Sequence, residues 1–376
     1  MFRRLLNSSI AILLIILATP VNPGQSKHLK IRTERTAAPS QIRPSQVIGY
    51  LAEWDQERGF RTIQDNYHLF TEVSLFWYRI NSSGEIVPYN PANVDLSIVS
   101  FLHSKGIDVT ATIANVNNGE WDSSTVRQII NDRIATTRHI QDIVNLAVSK
   151  GYDGIDIDYE SLSEEDRDAY STFIGQLATA LHAKGKKLTV PVYAKTSEPG
   201  NSSGARAQDW AAIGRAADQV RVMIYDYHWA TSQPGPIAPI DWADEVAAYA
   251  VSQIPKRKIV LGFGLYGYDW VGKRGVDLMW QEVDRIARQH GATVDLDEAS
   301  QSPWFQYTAS NGRRHTVWFE NATSTTPKLD IVNKYQVAGV HFWRLGGEDP
   351  RTWQVVEAKL LVARQQSVIY LPTVIR

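Results

Sequence analysis

Cysteine is absent from the 376 residues. Disulfide staples, thiolate metal sites, a cysteine nucleophile and a lipid-modified cysteine anchor are therefore excluded, and the fold must hold by packing alone. The absence does not fix the compartment, because disulfides are optional outside the cytoplasm. Also missing is an excess of either charge: 39 Lys and Arg face 40 Asp and Glu, interleaved along the chain. Such a balance gives no field to draw in nucleic acid or an anionic surface, so no nucleic-acid partner is expected. Long apolar runs are scarce as well; the one near the N-terminus, residues 10–17, is shorter than the roughly 20 residues that span a bilayer.

What is present is an ordinary globular composition, 43% apolar and 21% charged, with 12 Trp and 16 Tyr. That much apolar material can build a sizeable core, and the flat aromatic faces either fill it or stack on sugar rings. At the N-terminus, Arg3 and Arg4 precede the apolar run and Ala18-Thr19-Pro20 follows it. This reads as a signal peptide or an uncleaved membrane anchor over residues 1–20, and an extracytoplasmic location is expected. Residues 21–45, with Pro23, Gly24, Pro39 and Pro44, carry no apolar period and read as a flexible linker. Residues 364–376 read as a peripheral tail.

From residue 46 short β-rich apolar runs alternate with longer amphipathic stretches, the pattern of repeated βα units. Eight runs read as strands: 46–53, 71–79, 107–114, 152–160, 187–193, 219–226, 258–266 and 338–344. Helices are expected between them, among them 164–183, with Ser163 and Asp166 as a loose capping pair, and 241–253 after Pro239. Eight such units favour an α/β (β/α)8 TIM barrel over 46–363. The interval between the seventh and eighth runs is too long for one helix. Runs at 292–296, 303–309 and 314–319, with an Asn311-Gly312 turn, predict a small antiparallel α+β insertion at about 272–322.

The segment Asp153-Gly154-Ile155-Asp156-Ile157-Asp158-Tyr159-Glu160 alternates acids with bulky apolar residues. Strand side chains point to opposite faces with period two, so Asp156, Asp158 and Glu160 share one face and Ile155, Ile157 and Tyr159 the other. The apolar face suits the helix ring of a barrel, which turns the acids inward. Three inward carboxylates repel each other and lack water, so at least one should keep its proton near neutral pH and be able to donate it. Glu160 stands at the C-terminal end of the strand, where such barrels carry their catalytic loops. A solvated acidic edge or a cation site are the competing readings; a calcium loop, however, would not alternate its ligands with Ile. Trp54, Trp77, Tyr193, Trp229 and Trp270 fall at or beyond expected strand ends, where they could line a cleft, whereas Trp242, Trp280 and Trp353 fall on helices.

The same eight residues resemble the DGxDxDxE signature of glycoside hydrolase family 18. Met223-Ile224-Tyr225-Asp226 is similar to that family's MxYD element, and Trp343 to its aromatic on the eighth strand. Gly235–Pro239, Gly262–Trp270 and His315–Glu320 resemble the branch of spore-germination and cortex-lytic glucosaminidases, although no lysin-motif repeat accompanies them. The resemblance implies retaining, substrate-assisted hydrolysis of β-glycosidic bonds in an N-acetylglucosamine glycan, peptidoglycan or spore cortex, in which the sugar's own acetamido oxygen is the nucleophile. Glu160 would then protonate the leaving oxygen and later activate water. Asp158 would orient the acetamido N–H, Asp156 would share a proton with Asp158, and Tyr225 would bond the acetamido carbonyl. Asp226 would contact the sugar or the acid, and Trp343 would floor the ring. Met223, Tyr50, Trp77, Asn115, Trp229 and Tyr266 complete the expected substrate contacts.

In the family's chitinases the third strand carries a small-residue SxGG element, where this chain reads Thr110-Ala111-Thr112-Ile113-Ala114-Asn115. A chitinase is the nearest alternative, and a noncatalytic sugar-binding protein the next, which the presence of both Asp158 and Glu160 disfavours. Neither metal nor cofactor is expected, since His228 and His341 form no ligand cluster. Glu320 is left between a cap over the cleft and a solvated hairpin residue. The expected partner is the glycan, bound by a monomer.

Overall fold

The computed structural model describes residues 45–361. The expected signal or anchor, the linker apart from Ser45, and the tail lie outside the described residues.

Eight parallel strands run Gln46–Ala52, Glu72–Ile80, Asp108–Ala114, Gly154–Asp158, Lys187–Tyr193, Gln219–Met223, Ile259–Gly264 and Gly339–Trp343. The first pairs with both the second and the eighth, so the sheet closes into the expected (β/α)8 barrel. The alternation seen in the sequence is obeyed all the way round. Val73, Leu75, Val109, Ile113, Ile155, Ile157, Val190, Val220 and Leu261 point outward and are buried with the helices in one continuous apolar layer. The inward positions are mostly polar: Glu72, Ser74, Thr110, Thr112, Asp156, Thr189, Gln219, Arg221 and His341 are all buried there. The apolar core thus lies between sheet and helices, and the barrel's lumen is a hydrogen-bonded stack. Gly262 makes room for it, since a Cβ there would come within 2.0 Å of His341 Nε2.

Local signals account for the delivery of the fourth strand. Asp132 caps helix Arg133–Lys150 by accepting from the Ala135 N–H, and Gly151 ends it in the left-handed region at φ 75°. The chain then enters Gly154–Asp158 directly. The helix expected at 164–183 is a single 3₁₀ turn, Glu164–Asp166, followed by Arg167–His182. Ser163 does not cap it; its hydroxyl turns to Glu165, while Asp166 accepts from Asn131 of the preceding unit. The helix after Pro239 spans Ile240–Gln253.

Between the seventh and eighth barrel strands lies a five-stranded antiparallel sheet ordered Arg274–Met279, Tyr266–Val271, Arg314–Phe319, Ser302–Thr308 and Asp295–Asp297. Helix Trp280–His290 packs on one face through Val283, Ile286 and Ala287 against Phe305, Val317 and Phe319. Asn311-Gly312 does turn a hairpin, with Gly312 at φ 75°. The sheet begins earlier than expected, at Tyr266, because the barrel strand stops at Gly264 and Leu265 alone separates the two. Among the described residues no helix is long and apolar enough to cross a membrane.

Candidate active site

Strand four ends at Asp158, and the next two residues keep its alternation. Tyr159 turns outward, stacking on Phe173 at 12° between ring planes and sharing a 2.6 Å hydrogen bond with His139 Nε2. Glu160 turns back to the C-terminal mouth of the barrel. Its main chain is gripped by Asn115, whose Nδ2 donates to the Glu160 carbonyl at 2.9 Å and whose Oδ1 accepts from the Glu160 N–H at 2.8 Å. A side chain thus replaces the ladder that the strand has just left. Ser161 then reverses the chain at φ 56° and donates its N–H to the Tyr193 hydroxyl.

In front of Glu160 lies a cavity of about 530 Å³ lined by Tyr50, Phe76, Trp121, Asp158, Tyr193, Met223, Tyr225, Asp226, Trp229 and Trp343, among others. Its floor is an edge-to-face cluster in which Trp343 meets Tyr50 at 5.5 Å and Phe76 at 5.2 Å between ring centres. Asp226, at φ 54°, accepts from the Tyr266 hydroxyl at 2.5 Å and the Tyr268 hydroxyl at 3.2 Å, so the insertion sheet fixes one wall.

The acids are electrostatically unequal. Burial pushes the Glu160 carboxyl up to about 7; the Tyr193 hydroxyl opposes the rise and the Asp226 charge adds to it. Asp158 is held well above the usual carboxylate range, first by burial, then by the charges of Glu160 and Asp156, with Arg221 pulling the other way. Both carboxyls are raised, and Glu160 helps to raise Asp158, so near neutral pH at least one proton resides on the pair. Glu160 can therefore donate a proton into the cavity, as an acid–base residue must.

Eight of the expected site residues face the cavity: Glu160, Asp158, Tyr225, Asp226, Met223, Trp343, Tyr50 and Trp229. Four do not. Asp156 lies beneath it, fully buried among hydrogen-bond donors. Tyr266 reaches it through Asp226 and an edge-on contact with Tyr225, and Asn115 through the Glu160 main chain. Trp77 is the clear misplacement: Phe76 takes the inward position, so Trp77 is turned out among the helices, 1% exposed. Burying an indole of roughly 200 Å² is worth up to about 5 kcal/mol, more than the roughly 1–3 kcal/mol lost on its unpaired Nε1.

Asp156 is engaged by Tyr50, Thr112, Thr189 and Arg221, and the buried Oδ1 of Asp158 has no partner. Further expectations are corrected too. Trp270 is buried in the insertion. Trp54 is exposed and packs edge-on against Trp343 and Phe76 outside the cavity. Glu320 neither caps the cleft nor meets solvent, for it pairs with Lys328 in the interior.

Phe76, Trp121 and Arg221 are among the residues missed by the sequence reading. Trp121 stands on a hairpin of Val116–Asn117 and Glu120–Trp121, announced by Asn118-Gly119 with positive φ at both residues, a strong hairpin signal. Arg221 could have been found from the alternation of Gln219 and Arg221 with Val220 and Val222 in strand six. Among the described residues no group of three His, Asp or Glu side chains could hold a metal ion.

Comparison with known proteins decides the family, since residues 46–348 match glycosyl hydrolases family 18. The chain belongs to that family. As a family 18 enzyme it is similar to YdhD of Bacillus subtilis, named as a sporulation-specific glycosylase, at 34% identity over 77% of this chain and 70% of that one. The cortical fragment-lytic enzyme of the same organism is 29% identical over 78% of this chain and 69% of its own. Among solved structures, a chitinase from Chromobacterium violaceum superposes with a TM-score of 0.79 at 32% identity, covering 84% of this chain and 99% of that one. The chain is a glycoside hydrolase, related to cortex-lytic enzymes and to chitinases alike.

Proposed function

We propose that this enzyme hydrolyses β-glycosidic bonds of an N-acetylglucosamine glycan with retention, the substrate's acetamido group acting as nucleophile and peptidoglycan or spore cortex as substrate. The observation that carries the reading is the unpartnered Oδ1 of Asp158, buried beside a protonable Glu160 at the floor of an aromatic cavity. A buried acceptor left unpaired costs about 1–3 kcal/mol. An acetamido N–H seated on Trp343 would supply the missing donor and aim the carbonyl oxygen at the anomeric carbon. Glu160 protonates the departing oxygen, and the Tyr225 hydroxyl steadies the acetamido carbonyl as charge develops.

Similarity to cortex-lytic enzymes supports the peptidoglycan substrate, and the Chromobacterium violaceum chitinase supports chitin as the second reading. Action outside the cytoplasm, by a chain exported or tethered through its N-terminal segment, belongs to the same proposal and rests on Arg3, Arg4 and the apolar run after them. Incubating the protein with peptidoglycan and with chitin oligomers, and identifying the new reducing-end sugar by mass spectrometry, tests the substrate. An N-acetylglucosamine end from peptidoglycan is expected. Release from chitin alone moves the assignment to chitinase, and an inverted anomer by proton NMR ends the substrate-assisted mechanism.

A further inference from the structure

Behind strand four, on the helix side of the sheet, three rings form a stack. His139 of helix Arg133–Lys150 and Phe173 of helix Arg167–His182 lie 6.1 Å apart between ring centres at 30°, and Tyr159 lies 6.1 Å from Phe173 at 12°. All three are buried, and Tyr170 closes the stack at 6.4 Å from Phe173. Offset rings tolerate a range of positions, so stacking alone does not fix how far Tyr159 reaches outward. The 2.6 Å hydrogen bond between the Tyr159 hydroxyl and His139 Nε2 does fix it. Packing gives no reason for a histidine there. Burial pushes its imidazole down to about 4, with the Gly84 main chain opposing, and its buried Nδ1 has no hydrogen-bond partner. Phenylalanine would stack without burying an unmet polar atom; what it could not supply is the bond to Tyr159.

We propose that His139 is a positioning residue for Glu160, acting through Tyr159. The proposal deepens the hydrolytic reading and rests on it for its kinetic consequence. Strand four ends at Asp158, so Tyr159 and Glu160 lie beyond the barrel ladder and need other holds. Asn115 grips the Glu160 main chain from the end of strand three, and His139 grips the Tyr159 side chain from the helix layer. Ser161 reverses the chain directly afterwards. Because consecutive side chains point to opposite faces, a phenol pinned on the outer face aims the next carboxyl into the cavity. Glu160 then keeps the burial that raises it to about 7, with Tyr193 opposing the rise and Asp226 adding to it. On its other side His139 borders a surface cavity of about 280 Å³, whose walls carry Glu85, Asp132, Arg138 and Asp142. None of these four lines the glycan cavity.

The test compares His139→Phe, His139→Gln, Tyr159→Phe and the double Phe variant in the full chain. Carboxyl-carbon NMR follows Glu160 against pH with no glycan present, and steady-state kinetics on a fluorogenic N-acetylchitooligosaccharide gives kcat and KM. The single Phe variants keep the stack and break the bond. Each should lower kcat by about 3- to 10-fold with KM held within about twofold, the effect of a group set slightly off line. Each should also move the Glu160 midpoint, and with it the alkaline limb of kcat, to lower pH as water reaches the carboxyl. The double variant should fall no further than either single one, because both remove the same bond. His139→Gln, whose amide reaches the place of Nε2, should recover most of the rate. Tyr159→Phe loses a single hydroxyl and carries the test alone if His139→Phe does not fold. An unmoved Glu160 midpoint in Tyr159→Phe, additive losses in the double variant, or equal losses for Gln and Phe at position 139 each overturns the proposal. The carboxyl signal reports whether or not any glycan is cut, so a parent without hydrolysis whose midpoint still falls in the Phe variants would sink the glycosidase reading and spare this one.

Discussion

Asn115 holds both the N–H and the carbonyl of Glu160, one residue pair forming a two-way clamp across adjacent barrel strands. The clamp acts where the strand ladder has ended, and it fixes the main chain of the acid above Asp158. Asn115→Ala leaves two main-chain groups without their partners, at about 1–3 kcal/mol each where water cannot replace them. A fall in kcat of about 10- to 100-fold with a smaller change in KM is expected, the order of effect of a misaimed catalytic group. Steady-state kinetics beside a urea denaturation curve separates this from simple instability, and an unchanged kcat would remove Asn115 from the positioning machinery.

Glu160→Gln should lower the rate by about 10²–10⁴ while the cavity still binds glycan. The same variant has a stability signature. The folded-state value of about 7 lies above the ordinary glutamate value, so the parent gains from binding this proton at low pH and loses that gain as pH rises toward and through 7. Melting curves of the parent and the Gln variant should therefore diverge in favour of Gln on the alkaline side. Parallel curves would place the raised value elsewhere.

Since Glu160 must be protonated to act, activity should be present below about pH 7 and decline above it. Tyr193 lowers the Glu160 value and Asp226 raises it. Tyr193→Phe should move the alkaline limb of kcat to higher pH, and Asp226→Asn should move it lower. Shifts in the same direction for both variants would contradict the electrostatic account.

Glu320 and Lys328 form a buried ion pair between the end of the insertion and the helix Ala322–Tyr335 that follows it, with Ser324 donating to the same carboxylate oxygen at 2.6 Å. Removing one partner strands a charge, so Glu320→Gln or Lys328→Met should each cost about 3–5 kcal/mol by chemical denaturation. The double variant should recover most of that loss, because the penalty comes from the unpaired charge rather than from the missing bond. Additive losses would mean that the two residues stabilise the fold independently, with no coupling between them.

Much of this was legible in the sequence, and for one reason: period-two alternation is local. It showed eight strands, the inward face of Asp156, Asp158 and Glu160, and the hairpin at Asn311-Gly312. Failures arose where the deciding neighbour is remote. Trp77 sits at a strand end like a cleft residue, and only the inward turn of Phe76 sends it outward. Glu320 was ambiguous because its partner is on the following helix, packed back under the sheet. Arg221 is an isolated cation in its own strand, and its two acidic partners lie 149 and 65 positions earlier in the chain. Tyr266 was assigned to the barrel because Ile259–Tyr266 runs on past Gly264 with no charged or polar residue to mark where one sheet gives way to the next.

The charged lumen also polices how the strands slide past one another. Slipping strand six by a single position would carry the guanidinium into the aliphatic ring and swap Val220 or Val222 into the midst of two carboxylates. An oily barrel could tolerate such an offset with a little repacking, whereas here each misaligned arrangement strands several ions at once. The cluster beneath the cavity therefore selects one closure of the cylinder, and with it the height at which the last acid meets its substrate.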